Sequence, residues 1–419
     1  MSNNTFYTAT AIPYVNARPH LGHAILHIYA DVLARYYRQQ RLDVLFSAGT
    51  DEHGGKIAES AEKAGVTPQE HVDGISASFK DGLAKLGVTN DRFIRTTDPE
   101  HERIAALIWT NLEKDIYKNT YVGMYCTGCE EFKTPAYVKE TNGRCPNHDR
   151  DYEKIEEENY FFRLSNYTGK IREAIESGDF EIKPKERKNE ILGLLRDGLE
   201  DVSISRSSET VSWGIPVPGD SSQTMYVWFE ALMNYISVLG YPDGEDFKKY
   251  WPANVQVIGK DILRFHAAIW PAMLMGLGLP LPKVLYVHGF VTNDGEKMSK
   301  SLGNVIDPLD VVQKYGLDAF RYYFLRHGPA VSDADFTWDK FETAYNSELA
   351  NELGNAVSRV AAMITKYQDG HIGDIPDSNH DRNMYDQAIK TAGSIEHSKR
   401  CGIRCEASTS ISKKKSHGH

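Results

Sequence analysis

Apolar and polar positions follow two rhythms along the first part of the chain. The run "TFYTATAI" at 5–12 is dense in β-branched and aromatic residues and predicts a buried strand. From position 21, "LGHAILHIYADVLARYYRQQ" carries apolar residues at helical spacing. A strand "DVLFSAG" at 43–49, helices near 56–64 and 70–86, a strand "DRFIRTT" at 91–97 and a helix near 99–114 repeat the alternation. Strand and helix in turn predict parallel βαβ units, hence an α/β fold with a doubly wound parallel sheet.

The rhythm breaks at about 116, and 116–224 reads as an insertion. It resumes with "VQVIGKDI" from 255, a long apolar helix from 262 and "KVLYVHGFVT" from 283. Beyond about 305 the pattern is helical, and strands are not expected. The expected domains are therefore 1–115 and 225–290 for the two halves of the sheet, 116–224 for the insertion, 291–340 for a loop-bearing region and 341–391 for a helical part. From 392 to 419 the apolar periodicity is lost in a Ser- and Lys-rich stretch, which predicts disorder.

Composition narrows the class. At 419 residues the chain can bury proper cores in more than one domain. A formal charge of −10 argues against gripping nucleic acid through bulk positive charge, and DNA is not expected as a partner. The basic stretch "KPKERK" at 183–188 is either a local patch or a solvated helix start. No run of eighteen apolar residues is present and no signal-like segment precedes the first strand, so a soluble cytoplasmic protein is expected. Cys126 and Cys129 in "CTGC", with Cys145 and His148 in "CPNH", have the spacing of a zinc knuckle. Four protein ligands close the coordination sphere, which makes the expected Zn2+ structural. Cys401 and Cys405 have no evident partner.

Candidate chemistry begins at "NARPHLGH", where His20, Gly22 and His23 open a predicted helix. The first N–H groups of a helix lack internal partners and favour phosphate. Both imidazoles can donate to phosphate oxygens, and Gly22 removes a Cβ where a nucleoside would approach. The alternative is that the two histidines are cap or turn residues. Downstream, "DGEKMSKSLGN" at 294–304 offers a glycine-flanked cationic loop, which alone would equally suit a surface turn.

Together, "HLGH" and "KMSKS" are the paired nucleotide signatures of class I aminoacyl-tRNA synthetases. The chain resembles the methionyl-tRNA synthetase family through "TAIPYVNARPHLGHA", "GTDEHG" at 49–54, the "CTGC" and "CPNH" pairs, "WGIPVP" at 213–218, "YVWFEALMNY" at 226–235, "GKDILRFHAAIWPAML" at 259–274 and "VHGF" at 287–290. The likeness reaches to about 390. The insertion is too short for the editing domain of the sister enzymes for leucine, isoleucine and valine, and the cysteine enzyme holds its zinc elsewhere.

The resemblance implies a Rossmann-like catalytic domain with a zinc-binding connective insertion and a C-terminal helical bundle. It implies ATP-dependent formation of methionyl-adenylate, then transfer to tRNA(Met), by a monomer. His20, His23, Lys297 and Lys300 are the implied catalytic residues. Gly22, Gly259, Lys260, Asp261, Met298, Ser299 and Ser301 join them around ATP and its Mg2+. Ile12, Tyr14, Trp228, Ala231, Tyr235, Phe265 and His266 match the methionine pocket, and Asp51 matches the carboxylate for the ammonium group. An aromatic wall also suits a polarizable thioether on physical grounds. A silent nucleic-acid-binding paralogue would be favoured by a broken signature, and both signatures are intact. A shorter nucleotidyltransferase sharing "HxGH" lacks the zinc insertion and the helical end. The bundle starts with "SELANELGNAVSRVAAMITKY" at 347–367 and continues with "MYDQAIKT" at 384–391 before the pattern collapses. A truncated or altered anticodon-binding end, with impaired charging, is the expectation there.

Overall fold

The computed structural model describes residues 4–15, 19–129, 131–133, 135–147, 149–298 and 304–371. They fall into two units, divided between Val287 and His288.

A six-stranded sheet is built from β1 (Thr5–Thr10), β2 (Asp43–Thr50), β3 (Arg92–Arg95), β4 (Glu181–Lys183), β5 (Val255–Gly259) and β6 (Val284–His288), all in the first unit but for the last residue of β6. Its spatial order is β3-β2-β1-β5-β6-β4. β1 lies parallel to both β2 and β5, β2 to β3, and β6 to β4. Phe6, Tyr7, Thr8, Ala9 and Thr10 are all buried, the run of a central strand covered on both faces. Helices α1 (Leu21–Gln39), α2 (Gly55–Ala64), α3 (Pro68–Lys85) and α4 (Pro99–Asn111) match the sequence expectation closely. α3 starts where it does because Thr67 and Glu70 form a reciprocal capping box, with Pro68 in the first turn.

Strand order reverses at β1, since the chain goes to β2 on one side and returns as β5 on the other. In open α/β sheets the crevice at the carboxyl ends of such strands is where ligands bind. Here α1 begins just beyond β1, and a tight turn, Lys260–Ile262, begins just beyond β5.

Between 116 and 224 the chain forms a long antiparallel pair, Ile116–Cys126 with Glu153–Phe162. One short segment of this stretch, β4, returns to edge the central sheet, with Ile182 buried against it. The apolar helix expected from 262 is three pieces: the turn at Lys260–Ile262, a wider π-helical turn at Phe265–Ile269 and α6 (Trp270–Gly276), with α5 (Val227–Ala231) preceding them in the chain.

The second unit is mainly helical around Phe320, Phe324, Phe336 and Phe341, all buried. It also contains a strand, Ala334–Phe336, parallel to Val291–Asn293. Three residues are too few to show a period, so this strand was invisible to pattern reading. The helix Asn355–Gln368 carries Val357, Val360, Met363 and Tyr367 at helical spacing, each at least 57% exposed. "MYDQAIKT" and everything after it lie outside the described residues. No described helix is long and apolar enough to cross a membrane.

Candidate active site

His20 is the N-cap of α1. Its Nδ1 accepts from the Gly22 N–H at 3.1 Å, while His23 Nδ1 accepts from the His20 N–H at 3.3 Å. The rings stack with centroids 3.8 Å apart. A ring nitrogen that accepts puts the proton of a neutral imidazole on the other nitrogen, so both histidines carry it on Nε2. Burial, then the neighbouring His20 and His27, hold His23 well below its ordinary pKa, which keeps it neutral. The cap reading is thus realised in the structure, with both rings at the start of α1. A Cβ at Gly22 would lie 3.0 Å from His20 Cε1, so this glycine makes room for the cap itself.

The next strand end is joined to this one. Beyond β1 and β2, Tyr14 and Asp51 form a parallel bridge: Val15 N–H donates to Asp51 O at 3.0 Å and Asp51 N–H to Pro13 O at 2.9 Å. Asp51 is 5% exposed. Ile12 and Tyr14 flank it, both half-buried. The loop is pinned on both sides. Arg95 grips the fully buried Glu52 with Nε and a terminal nitrogen at 2.8 Å, and Thr50, Ser76 and Thr97 also donate to that carboxylate. Trp213 Nε1–H donates to Glu52 O at 2.7 Å, and Gly54 N–H donates to Trp213 O at 2.9 Å.

The aromatic residues come together as well. Trp228 stacks on Phe265, centroids 4.1 Å apart and 12° from parallel. Tyr235, His266 and Ala231 are buried behind them. Burial lowers His266 to about 4, against the pull of the Ile262 carbonyl. The ring is therefore neutral: Nδ1–H donates to Ile262 O at 3.0 Å, and Nε2 accepts from the Tyr235 hydroxyl at 2.7 Å. Tyr7 OH donates to Tyr235 O at 2.9 Å, tying this wall to the face of β1.

The sequence pattern of the family tRNA synthetases class I (M) matches residues 6–154 and 149–361. A methionine–tRNA ligase of Caldanaerobacter subterraneus subsp. tengcongensis is 48% identical over 370 residues, 87% of this chain. The chain belongs to the class I (M) tRNA synthetases. A second methionine–tRNA ligase, from Thermosynechococcus vestitus, is 47% identical over 88% of the chain. Mycobacterium tuberculosis methionyl-tRNA synthetase, solved with methionyl-adenylate, superposes with a TM-score of 0.87 at 38% identity, covering 95% of this chain and 80% of that one. The chain spans 57% of the length of the first relative and 71% of the second.

The family's other signatures are placed in part. Gly259 ends β5, and Lys260 and Asp261 form the turn beyond it, with Asp261 exposed. In the second unit Glu296–Lys297 pairs antiparallel with Val291–Asn293, bringing the backbone into the lysine loop as far as the half-buried Met298. The Lys297 side chain, Ser299, Lys300 and Ser301 lie outside the described residues.

The cysteine sulfurs of Cys126, Cys129 and Cys145 lie within 4.8 Å of one another, able to hold a metal ion. Cys129 N–H donates to Cys126 Sγ at 3.3 Å, and Cys129 Sγ is 3.5 Å from Cys145 Sγ. His148 is outside the described residues. Burial pushes the Cys129 thiol up to about 12, so thiolates in this pocket call for a compensating cation.

One cluster escaped sequence reading. Glu230, fully buried on α5, accepts from His53 Nδ1 at 3.0 Å on one carboxylate oxygen and from His101 Nε2 at 2.9 Å on the other. "GTDEHG" and "YVWFEALMNY" held His53 and Glu230 in view, but His101 is a single histidine on an amphipathic helix and carries no sequence signal.

Proposed function

We propose that this protein is a methionine–tRNA ligase that activates methionine with ATP and passes the acyl group to tRNA(Met). The observation that carries the reading is the Tyr14–Asp51 bridge beside the histidine-capped start of α1. It sets a buried carboxylate and an anion-favouring helix end on neighbouring strand ends, as an aminoacyl-adenylate with one ammonium and one phosphate requires.

In this mechanism the methionine carboxylate attacks the α-phosphorus of ATP in line. The new C–O–P bond forms as the bond to pyrophosphate breaks. Asp51 receives the ammonium group. The Trp228–Phe265 stack, Ile12, Tyr14, Ala231 and the neutral Tyr235–His266 pair surround the thioether, where aromatic edges favour sulfur. His20 and His23 donate from Nε2 to phosphate oxygens. Gly259, Lys260 and Asp261 lie along the nucleoside, Asp261 accepting from a ribose hydroxyl. Lys297 and Lys300, with Met298, Ser299 and Ser301 framing them, neutralise the leaving pyrophosphate. Mg2+ supplies further charge neutralisation on the phosphates when bound. The tRNA terminal ribose hydroxyl then attacks the carbonyl, and AMP leaves. Cys126, Cys129, Cys145 and His148 hold a structural Zn2+ in the connective insertion over 116–224, between the catalytic halves 1–115 and 225–290. The loop region at 291–340 and the helical part at 341–391 complete the organisation of a cytoplasmic monomer.

ATP–pyrophosphate exchange measured with each amino acid tests this reading. Exchange dependent on methionine, with no tRNA present, is expected. Exchange independent of methionine, or favouring another amino acid, overturns it.

A further inference from the structure

The parts assigned to methionine come from separate stretches of chain, and a buried network of side chains joins them. Asp51 is on the loop after β2, and His53 follows two residues later. Trp228 and Ala231 are on α5, with Glu230 between them. Tyr235 is two residues before Ser237. Glu230 accepts from His53 at 3.0 Å and from His101 at 2.9 Å, and His101 Nδ1 meets Ser237 Oγ at 2.7 Å. None of His53, His101, Glu230 and Ser237 is more than 5% exposed.

We propose that His53, Glu230 and His101 are positioning residues that brace the Asp51 loop against the Trp228 and Tyr235 wall, and so set the length of the methionine site. The proposal rests on the assignment of that site to methionine. Its physical basis is that each polar atom of the brace is buried, so a broken bond leaves an unsatisfied group and the elements must shift to recover one. Both oxygens of one carboxylate are used, each toward a different element, which makes Glu230 the common joint. The other charged groups near His53 are Asp51 and Glu102, whose carboxylate oxygen is 3.7 Å from His53 Nε2, and Trp213 packs edge-on to the ring at 5.6 Å. Glu52 is turned away to Arg95. The brace has no member on α1 and none in the turn after β5, so it acts on methionine and not on ATP.

The test compares His101→Gln with His101→Asn in methionine-dependent pyrophosphate exchange. A glutamine amide nitrogen reaches the place of Nε2 and keeps the bond to Glu230, whereas asparagine reaches only the place of Nδ1 and loses it. Asparagine should raise the methionine KM by about tenfold, the scale of one buried charge-assisted hydrogen bond, with the ATP KM and kcat changed by less than about threefold. Glutamine should stay within about twofold of the parent for all three constants. Glu230→Gln, which keeps the shape and removes the charge, should behave as asparagine does. Equal effects of the two His101 variants, or a parallel rise of both KM values, overturns the brace. If asparagine abolishes folding, Glu230→Gln and Ser237→Ala carry the same comparison. Absence of methionine-dependent exchange in the parent protein overturns the functional reading itself, an outcome distinct from a parent that is active and variants that leave the methionine KM unmoved.

Discussion

Replacing Tyr235 by Phe removes one atom from the inner wall and should have a measurable cost. The hydroxyl donates to His266 Nε2 at 2.7 Å, and both residues are essentially buried. His266 Nδ1–H is already committed to Ile262 O, so Nε2 would keep its lone pair with no donor. A buried acceptor left unmade costs about 1–3 kcal/mol, more than the net value of the bond itself. For a unit of this size that corresponds to a Tm lower by roughly 2–5 °C. The donor also favours the neutral ring, so its loss should bring the His266 pKa up from about 4. Urea unfolding of Tyr235→Phe, His266→Leu and the double variant gives the coupling directly. The double variant should cost little more than the worse single one, because replacing both partners strands neither end of the Tyr235–His266 bond, and the donor lost to Ile262 O is already lost in His266→Leu. A Tyr235→Phe protein within about 0.5 kcal/mol of the parent, or additive single effects, would refute the reasoning.

Other outcomes follow from the same geometry. His53 is raised to about 10: burial opposes the charge, but Glu230, Glu102 and Asp51 outweigh it. Its contribution to stability is therefore full below the unfolded value of about 6.5 and lost as pH rises through about 10, so His53→Asn should flatten the fall in stability over that window. Denaturant midpoints at a series of pH values check this, and an unchanged slope counts against it. His20→Ala should lose both the α1 cap, about 1 kcal/mol, and ATP turnover, whereas His20→Asn should restore the cap and leave turnover low; equal stability of the two variants would contradict the capping geometry. Elemental analysis should find one zinc per chain, and Cys145→Ser should lose it and loosen the 116–162 hairpin to proteolysis while nucleotide binding persists; a metal-free parent would exclude the assignment.

Five strands of the sheet and its first four helices were legible, the strands as apolar runs and the helices as clean periods with ordinary stop signals. The histidines of α1 were legible because a short motif sat at a strand-to-helix junction. The aromatic wall was a different matter. Trp228, Phe265 and His266 look like ordinary core residues in isolation, and only the family likeness brought them together. His101 was hidden for the same reason, without a motif to rescue it. The strand Ala334–Phe336 and the return of Glu181–Lys183 to the central sheet are too short to announce themselves, since their pairing depends on partners far away in sequence.

The wide turn at Phe265–Ile269 has a further consequence. Trp270 N–H donates to Phe265 O, a step of five residues where a regular helix takes four. That extra residue shifts the angular phase of everything after it by about 100°. Before the shift the helix presents Phe265 and His266 to the stack and the tyrosine; after it, Trp270 still packs on that tyrosine, centroids 5.7 Å apart, while Met273 and Leu274 are buried in the core. A regular helix of the same sequence would bring one of these sets into register and rotate the other out. Deleting a single alanine here should therefore yield a smoother helix and a worse protein, because the irregularity is what lets one rod serve two directions.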